Sequence, residues 1–181
     1  AAKVRFNYHE SASLSREIIS LNDETLTNGV WDGSQIIGNR IICYKKNNPT
    51  GTASTHAMLL NGGQNMTIAY NYVSHSFWGI VVKTGTMNPY TSGGIFCNIV
   101  EECTHGIWVG RISAINVLRN VVKHSNTVYA NQFESCIYAK LYDTNQYAEN
   151  VICKYNIFNV QLNDGSLVIF DDHAALNGSG I

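Results

Sequence analysis

The sequence predicts an all-β chain wound as a right-handed, single-stranded parallel β-helix, and three observations carry that prediction. First, one asparagine recurs in a fixed setting, apolar-x-x-Asn-x-apolar, with Ser or Cys five residues after it. Second, short β-branched runs bounded by Gly, Asn and Ser fill the intervals, as strands do. Third, no stretch places apolar residues convincingly at helical spacing.

The clearest copies are Ile68-Ala-Tyr-Asn71, Ile95-Phe-Cys-Asn98, Val117-Leu-Arg-Asn120 and Val128-Tyr-Ala-Asn131, with weaker ones at Asn39 and Asn156. Asn39 to Asn71 is 32 residues, Asn71 to Asn98 is 27, Asn98 to Asn120 is 22 and Asn131 to Asn156 is 25. Such lengths suit one coil of three short strands with loops of variable size. The 11 residues from Asn120 to Asn131 are too few, so one of these two belongs to a second turn of the same coil.

Taken in order, residues 1–35 are the opening coils, 36–170 the clearest repeats and 171–181 a terminal coil, all in one domain of 181 residues. Leu14 to Leu21 comes nearest to helical spacing and reads equally well as a strand. Phe77-Trp-Gly-Ile-Val-Val82 and Thr104-His-Gly-Ile-Trp-Val109 align as x-x-Gly-Ile-x-Val. That alignment stacks Ile80 on Ile107 and Val82 on Val109 inward, and turns Val81 and Trp108 outward. Leu167 to Phe170 is the last strand-like run. A stack of coils exposes strand edges unless capped, no capping helix is evident, and a fragment of a longer protein is expected.

Asparagine suits the bend because it tolerates left-handed backbone. Equivalent amides one strand spacing apart can also bond one another as a ladder. Asn39, Asn71, Asn98, Asn120, Asn131 and Asn156 are therefore read as architecture.

Hydrophobic residues make up 45% of the chain, enough for a core, while charged residues supply only 14%. A net charge of −1 with no basic cluster argues against nucleic acid, and no apolar run reaches membrane-spanning length. The five cysteines form no pairing motif, and Cys103 and Cys136 share an offset with Ser76 and Ser125. Free buried thiols are expected, which fits folding in a reducing compartment.

The Asn-centred repeats and Gly-Ile-x-Val strands, from Ile36 to Phe170, resemble the pectate-lyase-like superfamily of right-handed parallel β-helix proteins. That group includes polysaccharide lyases, related glycosidases, and phage tailspikes and tail fibres. The resemblance implies a polysaccharide or cell-surface glycan as partner, a virion or extracellular location, and a homotrimer if the protein is a tail component.

Catalytic candidates are scattered. A lyase needs a base, here Lys83, Arg111 or Arg119, and an acid pair such as Glu101 and Glu102, with Ca²⁺ as its added cofactor. The ruler of asparagines gives Lys83 and Arg111 different registers. A hydrolase needs two carboxylates, and Asp171-Asp172-His173 is the densest titratable cluster. Cys97, Cys103 and His105 lack the spacing of a metal site, so no metal is expected. Trp78 and His105 stand seven residues after Asn71 and Asn98, as Tyr138 does after Asn131, with Trp108 nearby. These rings could stack on sugar faces, or they could point inward as packing. Three classes follow: a glycan-recognising structural module of a tail fibre or tailspike, a polysaccharide lyase or glycosidase, and a bacterial surface adhesin.

Overall fold

The computed structural model describes residues 1–11, 17–22, 31–43, 56–83, 92–110, 114–124, 135–140, 151–160 and 166–170. The described residues form strands, bends and turns, without helix. The chain makes six passes of three strands each. The first is β1 (Lys3–Arg5), β2 (Tyr8–Ser11) and β3 (Glu17–Asn22); the second is β4 (Gln35–Ile37), β5 (Arg40–Cys43) and β6 (His56–Asn61). Then come β7 (Met66–Ala69), β8 (Tyr72–Ser74) and β9 (Trp78–Lys83), followed by β10 (Ser92–Phe96), β11 (Ile99–Glu101) and β12 (His105–Gly110). The last two passes are β13 (Ala114–Leu118), β14 (Val121–His124), β15 (Ser135–Lys140), and β16 (Val151–Lys154), β17 (Ile157–Val160), β18 (Ser166–Phe170).

Every strand pairs in parallel with its counterpart one pass away, giving three six-stranded sheets. Sheet A takes the first strand of each pass, sheet B the second and sheet C the third. Inward residues stack in columns: Ile36, Ile68, Ile95 and Val117 from sheet A, Ile41, Val73, Val100 and Val122 from sheet B. Met58, Ile80, Ile107 and Ile137 complete the core from sheet C. Each fully buried Ile contributes about 1.5–3 kcal/mol, so the columns are the main cohesive element.

The bend between sheets A and B is an unbroken asparagine ladder. Asn7, Asn39, Asn71, Asn98 and Asn120 each donate a backbone N–H and a side-chain N–H to the Oδ1 of the next rung, ending at Asn156. The second Nδ2 hydrogen goes to a backbone carbonyl, Ile36 for Asn71, Ile68 for Asn98 and Ile95 for Asn120. Buried amides are costly unless fully bonded, and these interior ones are.

Three expectations need correction. The left-handed residue of the bend is the one before each asparagine, not the asparagine itself: Phe6, Gly38, Tyr70, Cys97, Arg119 and Tyr155 all have φ between 53° and 69°. Asn120 bonds directly to Asn156, and Asn131 lies outside the described residues. Because Asn131 misplaces the ruler, Cys136 falls beside Gly106 rather than Cys103, between the paired residues Ser135–His105 and Ile137–Ile107. The sequence reading also missed Asn7, whose setting has His9 where an apolar residue was sought.

All five thiols are free. Burial pushes Cys43 and Cys153 up to about 11 and Cys136 up to about 12, and raises Cys103 further.

Candidate functional surfaces

Two rows of rings run along the stack, and they differ in what they offer a ligand. The first lies on the outer face of sheet C. At the start of β6 and β15 two neighbouring residues both enter the core, Ala57 with Met58 and Cys136 with Ile137, and β9 and β12 have Gly79 and Gly106 at the same inward position. Strand side chains normally alternate, so this slip turns the preceding His56 and Trp78 to the outside. Their rings lie with Leu59, Val81, Trp108 and Tyr138 in a cluster separate from the core.

His56, Trp78 and His105 occupy one register, with ring centroids 6.2 Å and 3.8 Å apart and planes within 13°. Tyr138 is in register with Trp108, not with His105, whose partner is Ser135. Even so, its ring stacks on His105 at 5.8 Å, and His105 Nδ1 lies 3.2 Å from Ser135 Oγ. The rings therefore spend their flat faces on one another. His105 and Trp108 are only 4% and 7% exposed, and Trp78 and Tyr138 are half-buried. Sugar stacking needs an open ring face, which this column offers sparingly.

The second row stands at the bend between sheets A and B. It consists of the left-handed residues that precede the ladder, in rung order Phe6, Gly38, Tyr70, Cys97, Arg119 and Tyr155. Backbone bonds from Gly38, Tyr70, Cys97 and Arg119 to the sheet A residue of the next pass keep the row straight. A left-handed corner pushes its side chain away from both sheets, and Phe6, Tyr70 and Tyr155 are 78%, 68% and 74% exposed. Two residues along the chain, past each asparagine, Tyr8, Arg40, Tyr72, Ile99, Val121 and Ile157 form a parallel row. Most exposed large apolar side chains among the described residues sit on these two rows.

Polar groups hold the ridge in place. The Arg40 guanidinium lies 4.3 Å from the centre of the Tyr72 ring, and Arg119 lies 6.0 Å from that of Tyr155. Tyr72 donates its hydroxyl to Glu101 Oε2 at 2.6 Å, and Tyr8 donates to Glu10 at 2.7 Å. Burial, then the bond to Glu101, raises the Tyr72 phenol above its ordinary range, which keeps it a neutral donor.

No protein-family model, curated protein or solved structure matches the chain. The geometry alone carries the functional reading.

The catalytic candidates are not brought together. Lys83 ends β9 on sheet C, beside Asn61 and Gly110. Arg119 is on the ridge, Glu101 is on the outer face of sheet B, and Glu102 is buried at the bend after β11, with φ of 52°. Arg111, Asp171, Asp172 and His173 lie outside the described residues. Among the described residues, no group of three or more His, Cys, Asp or Glu is placed to hold a metal ion.

Sequence reasoning missed Phe6, Tyr8, Tyr70 and Tyr155. A signal was present: an aromatic residue immediately before Asn7, Asn71 and Asn156.

Proposed function

We propose that this chain is a structural and glycan-recognition module, a right-handed parallel β-helix whose sugar-binding surface is the ridge between sheets A and B. The hand is supported by the near-universal right-handedness of parallel strand connections. The observation that carries the function is the straight row of open rings, Phe6, Tyr70 and Tyr155, on a rigid hydrogen-bonded bend. Phe6 and Tyr70 are two rungs apart, about 10 Å, and Tyr70 and Tyr155 three rungs, about 14 Å. One extended glycan lying along the stack would meet all three rings. Arginine, tyrosine and glutamate beside the rings satisfy hydroxyls. A role in a surface fibre such as a phage tail protein accords with such a long binding edge, and a trimer would present three of them.

Glycan-array binding by the purified chain tests this reading. The chain should bind a polysaccharide, and the double variant Tyr70→Ser/Tyr155→Ser should lose that binding while keeping its β circular-dichroism spectrum. Binding unchanged in the double variant would remove the ridge from the mechanism.

A further inference from the structure

Charge on the ridge is unlike charge on the whole chain. The chain carries −1 overall, yet among the described residues the strands and bends of sheets A and B hold Lys3, Arg5, Arg40, Arg119, Lys123 and Lys154. The acids on the same strands and bends are Glu10 and Glu101, each already accepting a tyrosine hydroxyl, Asp32 in the turn before β4 and buried Glu102 in the bend after β11, so cations are in excess there by six to four. Arg40 and Arg119 stand over tyrosine rings and are exposed. A guanidinium laid on a ring keeps its planar fork toward solvent, in the geometry that pairs two-to-two with a carboxylate.

The positions of these charges restrict the ligand further. Arg40 belongs to the second pass and Arg119 to the fifth, three rungs or about 14 Å apart along the stack, with Arg40 on the row that follows the asparagines and Arg119 on the row that precedes them. Between them stand Tyr70, Tyr72, Cys97 and Ile99, with Glu101 two residues beyond Ile99 on the same strand face. A polymer charged at every residue would set negative groups against apolar Ile99 and the Tyr70 ring, whereas Glu101 has Lys123 as its register neighbour. A polymer charged at intervals would not.

We propose that the ridge binds a linear acidic glycan of sparse charge, running along the stack with a carboxylate at about every third or fourth sugar. This rests on the glycan reading above and adds to it the class of sugar. Single-stranded nucleic acid fits less well, since it carries a phosphate at every nucleotide and wants an unbroken basic groove.

Binding of the full 181-residue chain is to be measured by biolayer interferometry on an array of linear polysaccharides. The array holds gellan and other polymers with one uronate per three or four sugars, the same polymers after carboxyl reduction, polygalacturonate, and oligo-dT. Sparse acidic polymers should bind best, with carboxyl reduction costing about tenfold, the worth of one charge-assisted hydrogen bond. The double variant Arg40→Gln/Arg119→Gln should show the same loss on the acidic polymer and none on the reduced one. Salt should weaken only the acidic case. Equal binding of reduced and native polymers, or stronger binding of polygalacturonate, overturns the charge inference and leaves glycan recognition standing. Binding to no polysaccharide overturns both. Tighter binding to oligo-dT replaces the glycan with a nucleic acid.

Discussion

Replacing Asn98 by Asp changes one nitrogen to oxygen at the centre of the ladder, where the side chain is fully buried. The acceptor half survives: Asn71 N and Nδ2 still find an oxygen at 2.9 Å. The donor half fails, because Nδ2 now reaches Ile68 O at 2.9 Å and Asn120 Oδ1 at 3.0 Å, and an ionised carboxylate sets oxygen against oxygen at both. Two buried acceptors each lose a donor at about 1–3 kcal/mol, although Asn120 Oδ1 keeps the Asn98 backbone N–H, so a loss of about 2–5 kcal/mol at neutral pH is expected. Protonation restores one donor, so the folded-state pKa of the introduced carboxyl must lie above its unfolded value. A raised pKa contributes stability that is fully present below the unfolded pKa and lost as pH rises through the folded one. The variant should therefore approach the parent in acid and fall away toward neutrality. Urea midpoints followed by circular dichroism between acidic and neutral pH measure this. Asn7→Asp, at an exposed terminal rung, should cost less than about 1 kcal/mol. Equal midpoints for parent and Asn98→Asp at neutral pH would show that the ladder does not hold the bend.

The thiols give an independent check on packing. Cys43, Cys103 and Cys136 should resist maleimide in the native chain at mildly alkaline pH while half-exposed Cys97 reacts, and all five should react in denaturant. His124 is buried, and desolvation lowers its pKa below the ordinary value despite the Glu102 charge, so its neutral form is the one the fold accepts. Stability tied to it is complete above the unfolded histidine pKa and is lost as pH falls through the lowered one. His124→Gln should flatten that acid-side decline in the urea midpoint; an unchanged slope would assign the decline to other groups.

Much of the fold was legible because the ladder depends on one chemical group. Only an amide can accept two hydrogen bonds and donate two at a bend, so asparagine recurs while its neighbours vary, and its spacing exposes the passes. Asn131 has the same setting in sequence and lies outside the described residues, while the choice left open between it and Asn120 is decided by the direct bond from Asn120 to Asn156. The corner row was harder to see because a left-handed exposed position imposes no side-chain type: an aromatic residue precedes Asn7, Asn71 and Asn156, but Gly, Cys and Arg precede the other three rungs. The outward turn of Trp78 was undecidable from alternation alone. It depends on a slip in which Ala57 and Cys136 join their neighbours inside, and its signature is only a small residue, Ala57, Gly79, Gly106 or Cys136, at a position where a Cβ on either glycine would meet neighbouring backbone. Catalytic candidates were chosen by chemistry without position, and the passes distribute the described ones over separate faces.

Cys97 stands within the ridge proposed to bind glycan, between Tyr70 and Arg119. The rate of Cys97 alkylation, measured with and without a saturating polysaccharide from the array, reports directly on that location. With glycan on the ridge, Cys97 should be markedly protected. An unchanged rate with the polymer bound would place the glycan elsewhere and contradict that proposal.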